Sequence, residues 1–86
     1  MTRVKIYTTS SCPFCIRAKR LLGARGIPFE EIDVGNDDAL REEIIQRTGR
    51  RTVPQIFIDE RSIGGFEELA GRIERGELAE LHEPAA

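Results

Sequence analysis

No stretch of the 86-residue sequence approaches the ~20 consecutive apolar residues that a membrane-spanning helix needs. The start, Met1-Thr2-Arg3-Val4-Lys5-Ile6-Tyr7, lacks the apolar run of a secretory leader, so the cytoplasm is the expected compartment. An excess of one charge is missing as well. Thirteen Lys and Arg face fifteen Asp and Glu, and the net charge of −2 excludes a globally basic nucleic-acid footprint. Cysteine is scarce: two residues, in the run Cys12-Pro13-Phe14-Cys15. A link between them closes almost no chain, so this is not a fold stapled by disulfides. Histidine is scarcer still. A closed zinc site needs about four ligands, and His82 in the tail is the sole imidazole, so no metal is expected. Internal repeats, linkers and low-complexity segments are also absent, and the length fits one domain spanning residues 1–86.

What is present alternates between the two secondary-structure periods. Val4-Lys5-Ile6-Tyr7-Thr8 reads as a strand running into the turn Thr9-Ser10-Ser11. Pro13 then suits the first position of a helix, where its missing N–H costs nothing, and no further breaker comes until Gly23 and Gly26. Residues 27–34 suit a second strand. Gly35-Asn36 offers a turn and a helix cap, with Asp37 and Asp38 in the dipole-favoured first turn of a helix carrying Leu40, Ile44 and Thr48 and ending near Arg47 at Gly49. Gln55 to Asp59, a tip at Glu60-Arg61 and a short Ser62-Ile63 predict a β-hairpin. Gly64-Gly65 breaks it before a helix marked by Phe66, Leu69, Ala70 and Ile73 that stops around Gly76. Leu78 and Leu81 suggest one more turn, with fraying from Glu83 onward. The order β-α-β-α-β-β-α describes an α/β domain with a four-stranded mixed sheet flanked by helices.

In a helix beginning at Pro13, Cys15, Ala18 and Leu22 share the inward face while Cys12 stands at the open N-terminal end. Side chains three apart on a helix lie ~5–6 Å from each other, and disulfides span Cα separations of ~4.4–6.8 Å, so the pair can close and reopen. Backbone N–H groups left unpaired at a helix N-terminus stabilise an anion, which marks Cys12 as the nucleophile. The more sheltered Cys15 is then the resolving thiol.

The strand, Cys12-Pro13-Phe14-Cys15 and helix, followed by Thr52-Val53-Pro54 and Gly64-Gly65, resemble a small dithiol glutaredoxin from Val4 to about Ile73. The resemblance implies a thioredoxin-like fold, glutathione as electron donor and no metal cofactor. It implies reduction of glutathione mixed disulfides and protein disulfides by a monomer. Thioredoxins usually carry Gly-Pro between the cysteines, and single-cysteine relatives usually carry Ser where Cys15 stands. The family's proline at Pro54 is cis, which lets Val53 present its backbone to the cysteinyl unit of glutathione as a strand edge. Gly65 and Phe66 open a helix whose N–H groups suit the γ-glutamyl carboxylate, and Glu67 is a candidate for the γ-glutamyl ammonium. Arg50, Arg51 and Gln55 are candidate donors to the glycyl carboxylate. Thr52 precedes the paired strand edge, and Phe14 supplies an aromatic wall.

Three positions depart from the family's habit. Thr9 stands where many relatives carry Lys, Phe14 replaces Tyr, and Phe66 replaces an additional Cys found in several relatives. Two other functions use the same residues. One is a redoxin reduced by a thioredoxin reductase. The other is a dimeric [2Fe–2S] carrier ligated by two copies of Cys12 and two glutathiones, which Pro13, by resemblance, disfavours.

Overall fold

Alternation along the central strands decides the layering. The computed structural model describes residues 2–82. In β1 (Val4–Thr8), Val4 and Ile6 face one side of the sheet and Tyr7 the other, as the period of two demands. β3 (Gln55–Ile58) repeats this with Ile56 and Ile58 on the first side and Phe57 on the second. β2 (Phe29–Asp33) runs parallel to β1, β3 runs antiparallel to β1, and β4 (Arg61–Gly64) runs antiparallel to β3. The resulting order is β2-β1-β3-β4 in one mixed sheet.

Two apolar clusters fill the space on either side. α1 (Pro13–Ala24) and α3 (Phe66–Glu74) bring Ala18, Leu22, Leu69 and Ile73 against Val4, Ile6 and Ile56. α2 (Asp38–Thr48) covers the opposite face, where Ile44 and Leu40 meet Tyr7, Val34 and Phe57. The Tyr7 and Phe57 rings pack edge to face at 5.4 Å between centroids. A single 3₁₀ turn (Ala79–Leu81) closes the first cluster with Leu78 and Leu81, as the tail pattern predicts. The expected fraying from Glu83 falls outside the described residues.

The differences from the predicted elements are local. Ladder pairing in the second strand is confined to Phe29–Asp33, although Ile27 and Val34 beyond its ends are buried. The cap of α2 is Asp37 and not Asn36: the Asp37 carboxylate accepts the Leu40 N–H at 3.0 Å. The hairpin turns at Asp59-Glu60, one residue before the expected tip, and Arg61 already belongs to β4. Both turn residues have positive φ, 51° and 68°, which a tight two-residue hairpin needs to match strand twist. Ion pairs hold them there, Arg3 forking onto Asp59 at 2.8 and 2.6 Å and Lys5 reaching Glu60 at 3.1 Å.

Candidate active site

Cys12 sits at the N-cap of α1, and its Sγ accepts the N–H of Cys15 at 3.1 Å. The local sequence fits this: an N-cap side chain accepts a first-turn N–H left without an intrahelical partner, and Pro13, which has no N–H, suits the first helical position. The Cys12 thiol also donates to the Val53 carbonyl at 3.4 Å. That contact corrects one expectation. Cys12 is largely covered, at 8% exposure against 1% for Cys15, because the loop before β3 comes down beside it. The two thiols remain inequivalent by position, as the helix spacing predicts. Cys15 lies on the inward stripe with Ala18 and Leu22, and burial, then its hydrogen bond with Cys12, push its thiol up to about 12. A backbone hydrogen bond from Thr9 and the Lys19 charge pull weakly the other way.

Beside Cys12 opens a groove of ≈ 220 Å³ between α1, the loop before β3 and the start of α3. It brings together Phe14, Arg50, Thr52, Val53, Pro54, Gly65, Phe66 and Glu67, eight of the residues singled out from sequence. The Val53–Pro54 peptide bond is cis. A side chain on Gly65 would press the Pro54 carbonyl at 3.3 Å, so the closeness of the two walls depends on glycine there. Gly64 takes φ +106°, outside the reach of most side chains, and a Cβ on it would run into the Glu68 carboxylate.

Two of the singled-out residues lie elsewhere. Gln55 is buried at 1% exposure and donates its amide to the Thr52 carbonyl at 3.0 Å, which fixes the loop from behind. Arg51 is exposed, and its carbonyl accepts Arg41 Nη2 at 3.5 Å on the side of α2. Two other residues shape the groove without having been singled out. Glu68 accepts the Gly65 N–H at 3.2 Å and pairs with Arg50, and the Arg50 hydrogen bond is the first cause that holds its carboxyl below the usual range. Its signal was a glutamate three residues after the glycine that opens the helix, the spacing at which a carboxylate reaches back to the N-cap N–H. Arg17 lies over the Phe14 ring at 5.5 Å and the Phe66 ring at 6.0 Å, and here the signal was the three-residue step from Phe14.

Residues 4–63 match the protein-family model described as Glutaredoxin. The chain belongs to the glutaredoxin family. It is 49% identical over 81 residues to Glutaredoxin 3 of Escherichia coli (strain K12), which covers 94% of this chain and 98% of that protein. Among solved structures it resembles the Brucella melitensis glutaredoxin, with a TM-score of 0.81 and 44% identity over 94% of this chain and 88% of that one. It also resembles the buckwheat glutaredoxin–glutathione complex, with a TM-score of 0.85 and 28% identity over 92% of this chain and 74% of that one. These likenesses establish the thioredoxin-like fold of a glutaredoxin and support a thiol–disulfide oxidoreductase role.

Proposed function

We propose that this glutaredoxin reduces glutathione mixed disulfides and protein disulfides with glutathione as electron donor, through Cys12 as nucleophile and Cys15 as resolving thiol. The observation that carries the reading is the position of the Cys12 sulfur, capping a helix and touching the Val53 backbone at the mouth of a groove. The buckwheat relative, solved as a complex with glutathione, supports the choice of donor. In this reading Val53 pairs with the cysteinyl backbone of glutathione, and the free N–H groups at the start of α3 take the γ-glutamyl carboxylate. Glu67 is the candidate for its ammonium, and Arg50, which lines the groove, is the candidate cation for the glycyl carboxylate once it parts from Glu68.

Cys12, as thiolate, attacks the glutathione sulfur of a mixed disulfide. The S–S bond breaks, the substrate leaves as a thiolate that takes up a proton, and Cys12 holds glutathione. A second glutathione, as thiolate, attacks that sulfur and leaves as oxidised glutathione, restoring Cys12. For a protein disulfide, Cys12 attacks one of its sulfurs and the other leaves as a thiol; Cys15 then loses its proton and attacks the Cys12 sulfur, and the second protein thiol leaves. The Cys12–Cys15 bond that forms is reopened by two glutathiones, which supply the two electrons. We further infer that the protein works as a monomer in the cytoplasm, because a reversible cysteine pair suits a reducing compartment.

The test is turnover of hydroxyethyl disulfide with glutathione and glutathione reductase. Wild-type protein is expected to be active and Cys12→Ser inactive, since a neutral hydroxyl cannot replace a thiolate. Activity sustained by thioredoxin reductase and not by glutathione would overturn the proposed donor.

A further inference from the structure

Among the described residues only two large apolar side chains are strongly exposed, Phe14 at 49% and Ile16 at 45%, one between the two cysteines and one directly after them on α1. At 100° per residue, the buried stripe Cys15, Ala18 and Leu22 occupies one side of this helix. Phe14 and Ile16 fall on opposite margins of the outer arc, with Arg17 and Arg20 between them. Arg17 follows Phe14 by three and Arg20 follows Ile16 by four, so each apolar side chain has a cation as its neighbour.

The charge on this helix is one-sided. Pro13–Ala24 contains Arg17, Lys19 and Arg20 and no acidic residue, in a chain whose net charge is −2. Lys19 is occupied by Glu31 at 2.9 Å. Arg17 and Arg20 form no ion pair among the described residues, although most other arginines of the fold do or reach a carbonyl.

We propose that the outer arc of α1 is a docking surface for protein substrates whose disulfide is flanked by acidic residues and an apolar side chain. The inference rests on the oxidoreductase reading of Cys12. Glutathione, when it is the partner, takes the groove on the Phe14 and Phe66 side, whereas a polypeptide attached through its sulfur to Cys12 extends along α1 over Ile16 and Arg20. Its acidic groups meet the two free guanidinium groups, and its apolar side chain covers Ile16. The exchange is the same as above: the protein disulfide gains two electrons and becomes a dithiol, and Cys12–Cys15 becomes a disulfide.

The test uses the pre-reduced protein and three short peptides of equal length that carry the same disulfide and the same apolar side chain with acidic, neutral or basic flanks. Single-turnover oxidation of the protein is followed at low and high salt. Reaction with the acidic peptide is expected to be fastest at low salt, and its advantage should shrink as salt screens the contact. Arg20→Glu should slow the acidic peptide by about two- to tenfold, the range for exchanging an exposed attraction for a repulsion, and should speed the basic one. Ile16→Ser should slow all three peptides. Both variants should turn over hydroxyethyl disulfide with glutathione like wild type, since neither residue lines the groove. Equal rates for the three wild-type peptides at low salt, or an Arg20→Glu variant indifferent to flank charge, overturn the docking surface. Absence of wild-type activity on hydroxyethyl disulfide would instead remove the oxidoreductase reading on which it rests.

Discussion

Cys15 is held as a thiol by the same contacts that make it useful. Its folded-state titration near 12 lies above the ordinary 9.0, so between these values the folded protein binds the proton more tightly than the unfolded chain. The resulting contribution to stability is complete below about pH 9 and is lost as pH rises toward about 12. Urea midpoints of the reduced wild type should therefore decline more steeply over that range than those of reduced Cys15→Ser, and parallel profiles would contradict the assignment. The same substitution separates the two chemical routes. Cys15→Ser should keep most deglutathionylation, which glutathione alone resolves, and should lose reduction of an internal protein disulfide. Loss of both activities in a folded variant would show that Cys15 is needed for the first step. At Thr9, the absence of the family's customary lysine predicts that Thr9→Lys lowers the Michaelis constant for glutathione by less than about tenfold and only at low salt, the scale of an exposed charge contact. No change at low ionic strength would indicate that Arg50 already supplies the cation.

At the level of elements, the turn from β4 into α3 depends on two neighbouring features, Gly64 at φ +106° and the Glu68 carboxylate folded back onto the Gly65 N–H. Gly64→Ala adds both a disfavoured φ and a clash with Glu68, and should destabilise by about 1–3 kcal/mol. Glu68→Ala removes one hydrogen bond and one partly exposed ion pair, for about 1–2 kcal/mol. Thermal unfolding of both variants checks the two magnitudes, and a Gly64→Ala midpoint equal to wild type would sink the argument from φ. The order of elements was legible because the apolar period switches cleanly from two to about 3.6 along the chain. Element ends were less so. Asn36 and Asp37 are both good capping residues, and only the Leu40 N–H chooses between them. Glu68 was hidden because the adjacent glycines and Glu67 already offered a reading of that turn. The cover over Cys12 could not be read locally at all, since it comes from a carbonyl 41 positions away.

Across the molecule, the sheet works as the frame on which three remote segments meet: residues 12–15, 52–54 and 64–68. Leu69 ties the third of them to the core, fully buried against the cluster that includes Ile6, Leu22 and Ile56. Leu69→Ala should cost about 2–5 kcal/mol, a large share of the ~5–15 kcal/mol typical of a domain, and a urea titration measures it directly. A loss well under 1 kcal/mol would mean that the core closes around the gap. The meeting of the three segments has a consequence for biosynthesis. Cys12 and Cys15 leave the ribosome while residues 52–68 have yet to be made, and at the usual ~5–20 residues per second that interval lasts several seconds. Throughout it the two cysteines have neither the Val53 carbonyl nor the groove, and they react as the thiols of any nascent chain. The cover on Cys12 and the groove beside it are acquired only when residues 52–68 arrive.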